Sequence, residues 1–374
     1  MPDGVATTRR RIPWANPSLS GNEARYVQEA IASTWISGGA FVDRLESDFA
    51  RFTGARHAIA VANGTAALHL AYLAVGIGPG DEVILPALTF AACAAMVVVC
   101  GATPKFVDSD LDTLGMSAAA TQAAIGPRTK AIVPAHLFGN VCDLAPLLAM
   151  ADDAGAVVIE DAAEAVGARY DGRSAGTLGA LGCFSFQAAK TLTMGEGGIV
   201  VTDDDGLAGR IRLLRNHGFR PGTHYWHDVV GFNYRLTNVQ AAIGCAQLER
   251  ADAILAERKR IERRYRDRLG PIPGVRIPET PARGTLALWV QAVVLDQRHF
   301  PQGRDAVREA LGTNGVETRP LFNPIYKLPP YEQFPAACPV AESVATWGLS
   351  LPVYETLSDT DVDFVCDQLV ALAR

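Results

Sequence analysis

The sequence lacks several patterns that mark whole classes of protein. None of its seven cysteines belongs to a CxxC pair and their spacing is irregular, so neither a zinc site nor a disulfide framework is expected. We interpret them as reduced thiols of a cytoplasmic protein. No basic run with interleaved aromatic residues is present, and the net charge is −6. Both features argue against nucleic acid as a partner.

A secretory leader and a membrane span are also not expected. No apolar segment follows the N-terminal arginines, which predicts that the chain carries no signal peptide. One stretch, residues 83–104, has no charged residue and is long enough to cross a membrane. However, Pro86 interrupts it near its start and Gly101 closes it. A buried strand over 82–85 and a buried Ala-rich helix over 90–100 therefore fit better than a membrane helix.

The 374 residues are 49% hydrophobic and 20% charged, which suits a globular protein with a large core and about two domains. Short apolar strands alternate with helical patterns over 57–202, which predicts a mostly parallel sheet covered by helices on both faces. A long helical pattern follows over 238–269, and a strand candidate lies at 286–295. We predict a large α/β domain over residues 12–250 and a smaller C-terminal α+β domain over 251–374.

Polar residues follow the predicted strands, where ligands of parallel sheets bind. Asn63-Gly64-Thr65 opens a helix directly after a strand, so its N–H groups could bind an anion or could simply form a helix cap. Asp161 ends an apolar strand and could hold a heterocyclic cation such as a protonated pyridine nitrogen. Because Glu164 follows at the spacing of a capping box, a second helix cap is the open alternative for Asp161.

Lys190 lies in a loop between two predicted strands in the stretch 182–202. A lysine held between buried strands can be a neutral amine, as Schiff-base chemistry requires, although a solvated loop lysine fits the same pattern. Phe90, at the start of a helix, could stack on a flat ring or belong to the core. In chain order, an anion-binding turn, an aromatic residue, a strand-end carboxylate and a loop lysine describe a site for pyridoxal 5′-phosphate.

The sequence resembles the DegT/DnrJ/EryC1/StrS family of sugar aminotransferases along nearly its whole length. The resemblance implies fold type I of the pyridoxal-phosphate enzymes, which is similar to aspartate aminotransferase and has a seven-stranded sheet in its large domain. The motifs that carry it are Trp35-Ile36-Ser37-Gly38-Gly39, Asn63-Gly64-Thr65-Ala66-Ala67, Pro134-Ala135-His136-Leu137-Phe138-Gly139, Glu160-Asp161-Ala162-Ala163-Glu164, Ser185-Phe186, Lys190, Gly195-Glu196-Gly197-Gly198, Gly231-Phe232-Asn233-Tyr234-Arg235 and Arg319-Pro320-Leu321-Phe322.

The resemblance also implies roles for single residues. Lys190 forms the Schiff base with the cofactor and moves protons, Asp161 keeps the ring nitrogen protonated, and Glu164 lies beside the ring hydroxyl. The remaining cofactor contacts are Gly64, Thr65 and Ser185 at the phosphate, Phe90 on the ring face, and Asn233 at the phosphate of the neighbouring subunit. The active unit is therefore expected to be a homodimer with shared active sites.

The substrates implied by the resemblance are glutamate as donor and a nucleotide-linked 4-keto-6-deoxy sugar as acceptor. The segment 160–167 and Arg319-Pro320 are similar to enzymes that make 4-amino-4,6-dideoxy sugars, such as perosamine synthases. Gln187 is instead similar to members that act on cyclitol ketones of the scyllo-inosose type, so a cyclitol aminotransferase stays open. A non-catalytic regulatory homologue is a further alternative, against which the presence of Lys190 argues. Candidates to line the acceptor site are Trp35, Ser37, His136, Arg235, Arg319 and Tyr326.

Overall fold

The chain folds around a sheet of seven strands and a second sheet of four, in a computed structural model that describes residues 10–220, 222–223 and 225–374. The strands in chain order are β1 His57–Val61, β2 Glu82–Pro86, β3 Thr103–Val107, β4 Thr129–Ile132, β5 Val157–Asp161, β6 Arg169–Tyr170, β7 Arg173–Ser174, β8 Leu181–Ser185, β9 Gly198–Thr202, β10 Val275–Arg276, β11 Gly284–Thr285, β12 Gln291–Leu295, β13 Arg319–Pro320 and β14 Gly348–Leu351. The helices are α1 Glu23–Ala32, α2 Ala40–Thr53, α3 Gly64–Ala74, α4 Ala92–Val99, α5 Ala118–Ala124, α6 Leu144–Ala154, α7 Asp205–Arg215, α8 Asn238–Glu249, α9 Ala251–Leu269, α10 Arg304–Thr313, α11 Pro339–Trp347 and α12 Asp359–Val370.

The large sheet has the strand order β1-β9-β8-β5-β4-β2-β3. Neighbouring strands are parallel from β8 through β3, and only β9 runs against its neighbours β1 and β8. The predicted mostly parallel seven-stranded sheet is therefore confirmed. Since all strands but β9 run the same way, their carboxyl ends meet at one edge of the sheet.

Helices cover both faces of this sheet. Alternate residues of its strands point to opposite faces, and both sets are therefore buried. In β1, Ile59 and Val61 pack with α3, α4 and α7, whereas Ala58 and Ala60 pack with α1, α2 and α8. Burial on both faces explains why these strands read as unbroken apolar runs. It also accounts for part of the uncharged stretch 83–104, which forms β2, a turn, α4 and the start of β3. The buried helix expected over 90–100 begins only at Ala92, and Val98 and Val99 at its end are exposed, so it is not buried along its whole length. Within the described residues, no helix is long and apolar enough to cross a membrane.

The second sheet has the antiparallel order β10-β12-β14-β13 and packs against α9, α10 and α12. The helix expected over 238–269 is in fact two helices that meet at Arg250, whose φ of −105° and ψ of 7° are not helical. The break allows α8 to pack on α1 and α2 while α9 packs on α12. The strand expected at 286–295 begins only at Gln291, because Ala287 and Trp289 bond to another loop. The domain boundary at 250 stays a prediction.

Candidate active site

A cavity of about 830 Å³ lies at the edge of the large sheet where the parallel strands end. Its floor is formed by residues that follow β1, β2, β4, β5 and β8, and its opposite wall comes from the segments before β12 and around β13. The two sheets therefore enclose the cavity together. The side chains from separate strand ends converge there because parallel strands release their chains at the same edge.

The start of α3 forms one end of the cavity. Asn63 caps the helix by accepting a hydrogen bond from the N–H of Ala66, while the N–H groups of Gly64 and Thr65 have no acceptor within the helix. A Cβ on Gly64 would lie 2.8 Å from Cβ of Ser185, so only glycine allows the turn to approach the end of β8 this closely. The cap is therefore observed, and it leaves the N–H groups of Gly64 and Thr65 beside the hydroxyls of Thr65 and Ser185 at a positive helix end, which is suited to an anion.

Asp161 ends β5 with a carboxylate that is only 7% exposed and lines the cavity. Its Oδ1 accepts the N–H of Ala163 at 3.1 Å and its Oδ2 accepts the thiol of Cys93 at 2.8 Å. The segment after Asp161 forms turns and no helix, so the alternative that Asp161 caps a helix is wrong. A buried carboxylate with this geometry can hold a cationic N–H of a ligand.

Lys190 approaches the cavity from the loop after β8. Its Nζ lies 3.5 Å from Oε1 of Glu164 and 3.8 Å from the ring centre of Trp289. Oε2 of Glu164 accepts the N–H of Phe138, a buried residue with a φ of 61° that few side chains tolerate. Burial raises the pKa of Glu164, and the nearby Lys190 opposes this shift. Glu164 therefore places a buried carboxyl beside the amine of Lys190, and both residues line the cavity.

A buried pair supports the floor from below. Nε2 of His136 lies 2.9 Å from Oε2 of Glu160, and Nδ1 accepts the N–H of Cys142 at 3.1 Å. Burial disfavours the charge of His136, but its hydrogen-bond partners Cys142 and Glu160 outweigh this effect and raise its pKa to about 10. Glu160 has no exposed surface. Burial disfavours its charge, but the bonds from His136 and from the amides of Gly176 and Gly179 outweigh this effect and lower the pKa of Glu160.

The predicted site residues divide into two groups. The cavity is lined by Gly64, Thr65, Phe90, His136, Asp161, Glu164, Ser185, Lys190 and Arg319. Phe90 is 60% exposed and so does not belong to the core. The second group consists of predicted residues that do not line the cavity of this chain, namely Trp35, Ser37, Asn233, Arg235 and Tyr326.

The residues of the second group differ in their surroundings. Trp35, Ser37, Asn233 and Arg235 are exposed on the surface. Tyr326 is buried and donates its hydroxyl to Glu342, which favours a structural role. His136, although at the cavity wall, has both ring nitrogens bonded within the protein. The roles of all these residues toward a ligand stay predictions.

Several residues of the site were not predicted. The sequence predicts Trp289 as part of a strand and Cys93 as a reduced thiol. It gives no signal for Trp14, and Glu160 and Phe138 occur only as members of the family motifs. Trp289 bonds to a residue 100 positions away and Cys93 to one 68 positions away. No local pattern in the sequence could have joined them.

Comparison with known families gives a match over nearly the whole chain. A sequence model described as the DegT/DnrJ/EryC1/StrS aminotransferase family matches residues 17–370. Among curated proteins, this chain is 47% identical over 359 residues to a GDP-perosamine synthase of Caulobacter vibrioides, covering 95% of this chain and 96% of the relative.

Solved structures agree with the fold. An aminotransferase named TlmJ from Streptoalloteichus hindustanus is 34% identical with a TM-score of 0.91, and the match covers 96% of this chain and 98% of that one. A putative sugar aminotransferase, Spr1654 from Streptococcus pneumoniae, was solved in a PLP form; it is 25% identical with a TM-score of 0.92, over 97% and 98% of the two chains. The predicted fold type is thereby confirmed.

Proposed function

The chain belongs to the DegT/DnrJ/EryC1/StrS aminotransferase family, and on this premise we propose that it transfers an amino group from glutamate to the keto group of a GDP-linked 4-keto-6-deoxy sugar. It is a pyridoxal-phosphate-dependent aminotransferase that acts on a nucleotide-linked sugar in amino-sugar biosynthesis. GDP as the nucleotide rests on the name of the Caulobacter relative, and glutamate rests on the family resemblance.

One observation carries the proposal: a single cavity holds the amine of Lys190, the buried carboxylate of Asp161 and the open N-terminus of α3. These groups match the aldehyde, the protonated ring nitrogen and the phosphate of pyridoxal phosphate. Gly64 approaches Ser185 so closely that a Cβ would occupy the space between them, and this supports the fit. When bound, the cofactor supplies an aldehyde carbon that exchanges amino groups and a ring that withdraws electrons.

The protein's own groups then have defined tasks. Thr65 and Ser185 bind the phosphate oxygens through their hydroxyls, and Phe90 covers the ring. Asp161 accepts the ring N–H and keeps it protonated, because a buried anion stabilises the cation beside it. Lys190 carries protons between reacting atoms, and Glu164, 3.5 Å from its Nζ, orients the amine.

We assign the acceptor to the part of the cavity lined by Arg319, whose exposed guanidinium lies next to Trp14 and pairs with Glu317 at 3.4 Å. A guanidinium suits the diphosphate of a nucleotide sugar.

Asn233 is exposed and outside the cavity of its own chain, which fits the proposal that it serves the site of a second copy in a homodimer. All seven cysteines are free thiols, which supports the proposed cytoplasmic location.

The first experiment records the visible absorbance of the purified protein with pyridoxal phosphate before and after glutamate is added. We expect a band that shifts with glutamate, absence of the shift in Lys190→Ala, and its retention in the control Lys259→Ala, which changes an exposed lysine. A wild-type protein without such a shift would favour a non-catalytic regulatory homologue and refute the proposal.

The second experiment compares acceptors. A GDP-linked 4-keto-6-deoxy sugar and scyllo-inosose are each offered to protein that has already reacted with glutamate. We expect the nucleotide sugar to restore the original absorbance band rapidly and the cyclitol ketone to leave it unchanged. The reverse result would establish the cyclitol alternative suggested by Gln187, which is exposed and lines the cavity.

A further inference from the structure

Trp289 lies between the two sheets, in the segment that precedes β12. Its backbone N–H donates to the carbonyl of Phe138 at 3.0 Å, and the backbone N–H of Ala287 donates to the carbonyl of Gly139 at 2.9 Å. The contact is close, since a Cβ on Gly139 would lie 2.1 Å from the carbonyl oxygen of Ala287. The backbone around Trp289 is therefore hydrogen-bonded to the segment that follows β4 of the large sheet and forms part of the cavity wall.

Arg258 fixes the same segment from the other side. One guanidinium nitrogen of this α9 residue donates to the carbonyl of Trp289 at 2.8 Å and to that of Leu288 at 3.2 Å. Arg258 is only 5% exposed, and burial lowers its pKa to about 10, so it is still charged at neutral pH. Nε of Arg258 is buried without a hydrogen-bond partner among the described residues, so the two bonds to carbonyl groups are the ones that compensate for burial of this guanidinium, and breaking them would be costly.

The side chain of Trp289 is held equally well. It is 7% exposed, and the ring of Trp14 packs edge-on against it at 5.8 Å and 84°. The Trp14 indole is itself fixed, because its Nε1 donates to Oγ of Ser350 at 2.9 Å. Trp289 thus presents one ring face in a defined direction.

Two contacts join this fixed indole to the lysine loop. Nε1 of Trp289 donates to the carbonyl of Ala189 at 2.7 Å, and Nζ of Lys190 lies 3.8 Å from the centre of the indole ring. Tryptophan is the aromatic side chain that attracts a cation over its face most strongly. With Oε1 of Glu164 at 3.5 Å, the amine has an aromatic face and a carboxylate as neighbours.

We propose that Trp289 is a positioning residue for Lys190: its indole N–H fixes the backbone before the lysine, and its ring face directs the amine between itself and Glu164. A lysine side chain has four rotatable bonds, so a free amine would spend much of its time out of reach of the reacting atoms. Trp289 acts through Lys190 and contributes no reacting group. The inference rests on the proposed role of Lys190.

The test compares Trp289→Leu, which removes the indole N–H and the ring, with Trp289→Phe, which keeps a ring face. Trp347→Phe is the matched control, because Trp347 is half-buried on α11 and does not line the cavity. In the full chain prepared without cofactor, trinitrobenzenesulfonate labels the lysines and peptide mass spectrometry follows the rate at Lys190, with exposed Lys259 as internal reference. In the holoenzyme, kcat and KM are measured with both substrates.

For Trp289→Leu we expect labelling of Lys190 to accelerate about fivefold relative to Lys259, because the amine loses its ring contact. We expect kcat to fall about tenfold or more with KM values changed less than about threefold, since proton transfer and not binding is affected. Trp289→Phe should lie between wild type and Trp289→Leu in both measurements, and Trp347→Phe should match wild type.

Labelling and kcat within about twofold of wild type in Trp289→Leu would overturn the proposal. So would a loss confined to KM, or the same changes in Trp347→Phe. If Trp289→Leu does not fold, Trp289→Phe decides alone: a wild-type kcat combined with a wild-type labelling rate refutes the proposal. Labelling does not depend on the substrate. A wild-type protein that fails to aminate a nucleotide sugar would therefore refute the proposed function, and the labelling rates would still test the role of Trp289.

Discussion

The thiol of Cys93 donates a hydrogen bond across 2.8 Å to Oδ2 of Asp161. Cys93 has no exposed surface and Asp161 is 7% exposed. Burial, followed by the charge of Asp161, raises the pKa of the Cys93 thiol well above its usual range. The thiol therefore stays protonated at neutral pH and remains a donor. It orients the carboxylate to which we assign the cofactor nitrogen.

We expect Cys93→Ala to weaken the affinity for pyridoxal phosphate about tenfold, because a buried carboxylate oxygen loses its donor and its orientation. Cys93→Ser keeps a donor of similar size and should stay close to wild type. Equilibrium titration followed by absorbance measures the dissociation constants. The control is Cys366→Ala, an equally buried cysteine of α12 in the core against the second sheet. Equal affinity in Cys93→Ala and wild type would contradict this role.

Glu160 should stabilise the protein in a pH-dependent manner. Because its folded-state pKa is lowered, its contribution is present above the unfolded pKa of about 4.5 and is lost as the pH falls through the lower folded value. Glu160→Gln should cost about 3 kcal/mol near neutral pH, since a buried pair is broken and backbone N–H groups then face an amide. The difference in unfolding free energy between wild type and variant should shrink as the pH falls below 4.5.

Urea unfolding at neutral and acidic pH measures this difference. The half-buried Glu257, which pairs with Arg260 on α9, supplies the control Glu257→Gln, whose effect should be small at both pH values. A cost of Glu160→Gln that does not decrease in acid would show that the charge of Glu160 is not the stabilising feature.

Two glycines with positive φ separate backbone strain from packing. Gly155, with a φ of 63° and no atom within 4 Å of an added Cβ, should cost about 1–2 kcal/mol when changed to Ala. Gly139, with a φ of 91° and the Ala287 carbonyl at 2.1 Å from such a Cβ, should cost more than Gly155 by about 1–3 kcal/mol. Thermal or urea unfolding gives both values. Similar costs would mean that the segment at 287–289 can move away from the cavity wall.

Arg319 should affect the acceptor and not the donor. Its side chain is 57% exposed, with its guanidinium carbon 4.2 Å from the ring centre of Trp14. We expect Arg319→Gln to raise KM for the nucleotide sugar about tenfold with little change in kcat or in KM for glutamate, and Arg319→Lys to recover part of the loss. Steady-state kinetics measures these constants, with the surface variant Arg308→Gln as control. An increase confined to glutamate would place the donor carboxylate at Arg319 instead.

The cofactor cavity was largely predictable from local patterns. Glycine and hydroxyl residues after β1, a carboxylate at the end of β5 and a lysine after β8 follow apolar strands, and strands that run the same way end at the same edge. Local spacing was less reliable where two structures share one pattern. The spacing of Asp161 and Glu164 suits a capping box, yet tertiary contacts to Cys93, Phe138 and Lys190 hold both carboxylates in a turn.

The sequence by itself determined the alternation of strands and helices over 57–202, the family, and the residues at the ends of the parallel strands. These features follow from short-range periodicity or from ordered motifs. Only the tertiary structure decided which distant groups support them: Trp289 beneath Lys190, Cys93 beside Asp161, and the break at Arg250 that directs α8 and α9 to different partners. These contacts join positions far apart in the chain, and they form only when the two sheets have packed against each other and their helices.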